Sequence, residues 1–166
     1  LFTLAETPCE IPILKTASLF SCLTSLRRSD ISALRWEDIV DYSAGGKCVH
    51  IITQKTKTED IIPISAEALE LVGYEPGKRG QVFKGLRVSW TQYPMKKWIA
   101  SAGITKNITF HSYRRTFATL QAAAGTDPNT IRSMMAHKSI TTTQRYVKVV
   151  DANKLEASNK ITLRRS

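Results

Sequence analysis

The sequence predicts an α+β fold, mainly helical, with a small antiparallel β-sheet on one edge. Three observations carry that expectation. Apolar residues recur at helical spacing, as in Leu19, Cys22, Leu23 and Leu26. Two β-rich runs, Cys48 to Gln54 and Asp60 to Ile64, flank the polar stretch Lys55-Thr56-Lys57-Thr58-Glu59, which reads as a hairpin with a basic tip. Pro, Ser, Asp and Gly punctuate the rest at positions that start or stop helices.

Taken in order, the first dozen residues, with Pro8 and Pro12, read as irregular. A helix follows from about Ile13 to Thr24 and breaks near Ser25-Leu26-Arg27-Arg28. Ser29 or Asp30 then caps a short helix that turns Ile31 and Leu34 inward, and Trp36 and Ile39 close the same core. Gly45-Gly46 marks a turn before the hairpin. Ser65 caps a helix through Val72, and Glu75 to Gly80 is a loop by composition. The next helix carries Trp98, Ile99 and Ala102 inward and stops at Gly103, with Pro94 beginning or kinking it. After a central helix ended by Gly125, Thr126-Asp127-Pro128 reads as a cap followed by proline in the first turn. Ile131, Met134 and Met135 face inward there as core rather than as thioether ligands.

At 166 residues the chain buries roughly 70% of its unfolded surface without a disulfide or metal staple. Its 24 Lys and Arg against 14 Asp and Glu leave a net charge of +10. That surplus favours a polyanionic partner, because each neutralised phosphate releases condensed counterions. Charge alone does not exclude a merely soluble basic protein. No apolar run approaches the roughly 20 residues needed to cross a bilayer, and no signal peptide is visible. Cys9, Cys22 and Cys48 are odd in number and form no Cys-x-x-Cys pair, so they read as reduced small hydrophobes in a cytoplasmic protein. The chain opens on Leu1 rather than Met and reads as a piece of something longer.

The chemistry gathers between Phe110 and Tyr146. Read as a helix, this stretch puts Tyr113, Phe117, Leu120 and Ala124 on one apolar face, with His111 and Arg114 one turn apart beside it. His137 follows, and Tyr146 stands nine residues beyond it. Two imidazoles, an arginine and a late tyrosine are what a metal-free attack on a phosphodiester needs. Each residue also has a plainer role: His137 as a structural histidine, Tyr146 as a core aromatic, Arg27 as a surface residue at a helix end. His50 keeps its plain role as a strand residue. Helical spacing lets either Arg114 or Arg115 reach the face of His111, and geometry alone does not choose between them.

In chain order, Arg27 within Leu26-Arg27-Arg28-Ser29-Asp30, Lys55 ahead of the hairpin's Ile62-Pro63, His111-x-x-Arg114, His137 and Tyr146 resemble the catalytic domain of the tyrosine recombinases, the phage integrase family. The resemblance covers roughly Thr16 to Val149. It implies the tyrosine-recombinase catalytic fold over 1–150, a tail over 151–166 that docks on a neighbouring protomer, and an amino-terminal DNA-binding domain absent from this sequence. It implies a site-specific recombinase or integrase of a mobile element, working through a 3′-phosphotyrosine. Tyr146 is then the nucleophile, whose phenol, with a free pKa of about 10, needs help losing its proton. His111, with an unperturbed pKa of about 6.5, handles that proton. Arg27 and Arg114 clamp the non-bridging oxygens, His137 adds a donor, and Lys55 protonates the leaving oxygen. The family's spacing selects Arg114 over Arg115 and Lys55 over Lys57. It leaves Lys57, Arg115 and Lys138 as DNA contacts.

The resemblance further implies no metal and no cofactor. The expected partners are double-stranded DNA and DNA-bending accessory proteins. A homotetramer on two DNA sites is expected at full length and a monomer for the isolated domain, with the protein bacterial, cytoplasmic and at the nucleoid. Two departures stand out. Ser25 replaces the family's usual glycine before Leu-Arg, and Met135-Ala136 replace its usual Leu-Gly before the histidine. An alanine held at positive φ there carries strain of about 1 kcal/mol or more. Rival readings are a type IB topoisomerase that relaxes supercoils without site preference, and a non-catalytic DNA-binding module.

Overall fold

The structure is a computed structural model that describes residues 1–52 and 59–135; the expectations for Lys55, Lys57, Ala136, His137, Lys138, Tyr146 and the 151–166 tail lie outside the described residues. The chain forms two compact units, Leu1–Phe117 and Ala118–Ser166. Among the described residues no helix is long and apolar enough to cross a membrane.

The first unit begins with a short helix, α1 (Phe2–Glu6), where the sequence suggested irregular chain. Its Leu4 is buried in the core, and one buried side chain in five residues is too little periodicity to read. Helix α2 (Pro12–Thr24) starts on proline, whose fixed φ and missing N–H suit a first turn. It lays Leu14, Ala17 and Phe20 fully inside the core. Two of its buried hydroxyls are engaged: Thr24 Oγ1 donates to Phe20 O at 2.7 Å, and Ser21 Oγ donates to Leu26 O at 2.9 Å.

Helix α2 ends on Ser25, which adopts the left-handed conformation at φ 63° and ψ 3°. Among the described residues Ser25 is the non-glycine at positive φ. The reversal sends Leu26 into the core and brings Arg27 to the start of α3 (Arg28–Ala33). The cap expected at Ser29 or Asp30 sits earlier, at Arg27. Asp30 acts backward from the third helical position, accepting from Arg27 N at 3.2 Å. An acid there serves the cap's backbone N–H, which is half of a capping box.

After a 3-10 turn at Trp36–Asp38 comes the sheet. Strands β1 (Ile39–Asp41), β2 (Lys47–Ile52) and β3 (Glu59–Ile64) pair antiparallel in the order β1-β2-β3. Register sets Ile39 opposite Val49 and Val49 opposite Ile62, a row buried on one face. Three residues are too few for alternation to reveal β1 in the sequence. The β1–β2 turn uses Gly45 and Gly46 at φ 98° and 78°, a region that L side chains enter at a cost.

Helix α4 (Ala66–Leu71) is capped by Ser65, whose hydroxyl accepts from Ala68 N at 3.2 Å. A loop then returns to α3: Trp36 N donates to Gly80 O at 2.9 Å, and Val82 N to Leu34 O at 2.9 Å. Phe83 stacks tilted on Phe20 with centroids 5.4 Å apart. A second 3-10 turn, Val88–Thr91, leads into α5 (Tyr93–Ser101), which has Pro94 in its first turn. Met95, Trp98 and Ile99 are buried, and Trp98 Nε1 donates to Thr7 O at 3.2 Å.

The central helix is α6 (Phe110–Ala123). Phe110, Tyr113, Arg114 and Phe117 are buried in its first half, with Phe110 and Tyr113 in edge-to-face contact at 5.3 Å. The apolar stripe expected to continue through Leu120 and Ala124 does not stay covered. Leu120 is 41% exposed and Ala124 is exposed, while Ala118 and Ala122 are buried instead. The covered side drifts round the helix, which one fixed-period stripe cannot represent. In the second unit α7 (Pro128–Met134) is capped by Asp127, which accepts from Thr130 N at 2.7 Å and Thr130 Oγ1 at 2.9 Å. Ile131 and Met135 are fully buried there, and Met134 is half-buried.

Candidate active site

The start of α3, the end of the Val88–Thr91 turn and the start of α6 line an open cleft of about 380 Å³. Arg27, Arg28 and Ser29 form one wall, with Leu26 behind them. Thr91 comes from the 3-10 turn, and Thr109, Phe110, His111 and Arg114 come from the entry and first turns of α6. Among the described residues no Asp or Glu lines it. Three guanidiniums and an imidazole meet there, and the Asp30 carboxylate, outside the lining, stands 3.8 Å from Arg27 Nη1. The amino end of α6 adds the positive end of its dipole.

Arg114 is the most enclosed of these groups, 3% exposed. Its Nη1 donates to the carbonyl oxygen of Ser25 at 2.5 Å. The left-handed turn at Ser25 thus positions both arginines: it sends Arg27 to the head of α3, and its carbonyl holds the guanidinium that comes from α6. Arg27 is held more loosely. Its side chain is 23% exposed, with Nη1 at 3.8 Å from Asp30 Oδ2. The Asp30 carboxylate, itself 2% exposed, also receives Ser29 Oγ at 3.3 Å.

His111 lines the cleft from the first turn of α6 and is solvent-exposed. The entry to that helix is braced by Ser112, whose Oγ accepts from Thr109 N at 3.1 Å while its N–H donates to Thr109 O at 2.8 Å. Tyr113, next in the chain, packs into the core, 2% exposed. Burial pushes its phenol up to about 12, partly offset by Ser18, although among the described residues neither hydroxyl completes a hydrogen bond. Of the two adjacent arginines that helical spacing could not separate, Arg114 lines the cleft, whereas Arg115 is exposed and outside its lining. His50 is exposed in β2, away from the cleft lining.

The structure therefore brings Arg27, His111 and Arg114 to one cleft. Sequence reading passed over Arg28, Ser29, Thr91 and Thr109 as site residues. Arg28 was visible beside Arg27, but Thr91 belongs to a turn that no motif marks.

Comparison with known proteins follows the same lines. The sequence model of the phage integrase family matches residues 3–153. A tyrosine recombinase XerC of Syntrophus aciditrophicus (strain SB) is 30% identical over 153 residues, spanning 81% of this chain and 48% of that protein. The structure of the XerH site-specific recombinase bound to palindromic difH substrate, a post-cleavage complex, superposes with a TM-score of 0.72 at 17% identity, covering 95% of this chain and 49% of that one. The catalytic domain of bacteriophage HP1 integrase superposes with a TM-score of 0.70 at 23% identity, covering 96% of this chain and 89% of that one. At those identities the structural likeness speaks for the fold. The chain spans about half the length of the curated relatives it matches.

Proposed function

The chain belongs to the phage integrase family, and from that premise we propose that it is the strand-cleaving part of a site-specific DNA recombinase. The observation that carries the reading is the cleft, without an acid among its described lining residues, to which Arg27 comes from the head of α3 and His111 and Arg114 from the start of α6. Its substrate is double-stranded DNA, in keeping with a net charge of +10 and with the DNA-bound state of the XerH neighbour.

Tyr146 Oη attacks the phosphorus in line with the departing 5′-oxygen. The Oη–P bond forms as the P–O5′ bond breaks, leaving a 3′-phosphotyrosine and a 5′-hydroxyl. His111 takes the phenol's proton, and Lys55 gives one to O5′. Negative charge grows on the non-bridging oxygens, and Arg27 and Arg114 meet it with forked, permanently charged donors, aided by His137. A group already fixed before reaction stabilises that charge without reorganising. Arg114, buried and bonded to Ser25 O, meets that condition. A 5′-hydroxyl of a second strand reverses the step and exchanges partners. The biological setting proposed is a mobile element in a bacterial cytoplasm, with four protomers on two DNA sites and DNA-bending proteins assisting. Lys57, Arg115 and Lys138 are proposed as flanking phosphate contacts.

The test uses a nicked duplex carrying the sequence that flanks the encoding element, followed by a denaturing gel. Wild type gives a protein–DNA adduct that Tyr146→Phe lacks. An equal adduct from the variant moves the nucleophile elsewhere.

A further inference from the structure

Arg28 lines the cleft beside Arg27 and is half-buried, yet its side chain has no hydrogen bond or ion pair among the described residues. Helix geometry explains why. A residue on α3 reaches acids three or four positions along, and from Arg28 those positions are Ile31 and Ser32. The nearby acid, Asp30, is two positions on, the wrong side of the helix for Arg28. Its carboxylate is taken by Arg27 N, Arg27 Nη1 and Ser29 Oγ. A partly desolvated cation without a counter-charge is favourable where an anion arrives from outside. At about 380 Å³ the cleft also exceeds one phosphate group, whose five heavy atoms need no more than roughly 150 Å³ at about 30 Å³ each.

We infer that Arg28 is a substrate-positioning residue that binds a second DNA phosphate, next to the one held by Arg27 and Arg114. The inference rests on the strand-cleaving function proposed above and names a contact within it. The three arginines divide by how they are held. Arg114 is fixed by Ser25 O and Arg27 is drawn to Asp30, so both stand preorganised for charge that develops in the transition state. Arg28 has no such tether. It orders only when the DNA backbone supplies the counter-charge, and that contact is the same before and during reaction. Uniform binding of this kind strengthens the complex without accelerating the chemical step.

The experiment measures duplex affinity against salt concentration for the whole chain carrying Tyr146→Phe, so that no covalent product forms. Arg28→Gln lowers the steepness of log K against log salt by about 0.9, the loss of one phosphate contact. Arg28→Lys keeps the wild-type slope. Arg35→Gln removes the same charge from an exposed residue paired with Glu37 and also keeps the slope. With Tyr146 intact, Arg28→Gln raises the DNA concentration for half-maximal adduct formation severalfold and leaves the saturating single-turnover rate within twofold of wild type. An unchanged slope for Arg28→Gln, an equal loss for Arg35→Gln, or a saturating rate as depressed as that of Arg27→Ala overturns the inference. A slope loss specific to Arg28, with no adduct from wild type, sinks the strand-cleaving function and leaves the phosphate contact standing.

Discussion

Arg114 Nη1 donates to the carbonyl oxygen of Ser25 at 2.5 Å, across 89 positions of sequence. The carbonyl lies at the end of α2, where orphan backbone oxygens and the negative end of the helix dipole favour a cation. One hydrogen bond thus satisfies a helix terminus and aims a guanidinium at the cleft. The geometry depends on the left-handed turn at Ser25, a conformation glycine enters without penalty.

Ser25→Gly relieves that turn and raises stability by about 0.5 to 1 kcal/mol, seen as a higher urea midpoint, with adduct formation retained. Ser25→Val does the opposite on both counts, because a β-branched side chain at φ 63° in a fully buried site is strained and crowded. A glycine variant no more stable than wild type would show that the serine's own contacts outweigh the strain.

Removing the buried guanidinium deletes a preorganised donor and leaves Ser25 O without this bond. Arg114→Ala lowers the single-turnover cleavage rate by about 10²- to 10³-fold, as for loss of one oxyanion-hole donor. Arg115→Ala, at an exposed position outside the cleft lining, changes it by only a few-fold. The reverse ranking would assign the phosphate clamp to Arg115.

Asp30 joins the cap of α3 to the placement of Arg27. Asp30→Ala removes the acceptor for Arg27 N and costs about 1 to 2 kcal/mol in chemical denaturation. It also slows cleavage at saturating DNA, because Arg27 loses its anchor. Asp30→Asn, which keeps an oxygen acceptor, recovers most of the stability and less of the rate.

Two buried acids set an alkaline limit. Desolvation pushes Tyr113 up to about 12 from 10.0 and Cys22 up to about 12 from 9.0. In the unfolded chain these groups ionise at their ordinary values; in the folded chain they stay neutral longer. Their contribution is therefore fully present below about pH 9 and is lost as pH climbs to 12, by on the order of several kcal/mol. Urea midpoints at pH 8 and pH 11 measure it, and Tyr113→Phe with Cys22→Ala flattens the difference. Tyr113→Phe alone leaves cleavage intact, since a buried phenol with a raised pKa is a poor nucleophile at neutral pH.

Much of the local architecture was legible before any coordinates. Pro94, Ser65, Asp127 and the Gly45-Gly46 pair announced helix starts and a turn, because capping and positive φ act within a few residues of chain. The first-dozen helix and β1 were not legible, being too short to carry a period. The inward stripe failed at Leu120 because periodicity assigns a face to a whole helix, while burial on α6 changes side along its length.

For the site, residue order in the chain pointed to Arg27, His111 and Arg114 through family likeness, and helical spacing alone left Arg114 and Arg115 tied. The folded chain separates them: Arg114 is 3% exposed and bonded to Ser25 O, and Arg115 is exposed. Thr91 and Arg28 as cleft residues, and Asp30 as the acid that engages Arg27 but not Arg28, likewise came only with the fold. Sequence by itself determined the caps at Ser65 and Asp127 and the glycine turn, since those are interactions among neighbours along the chain. Tertiary structure alone decided which cations share a cleft and which have a partner, since that depends on elements far apart in sequence and on the carbonyls and carboxylates the fold sets beside them.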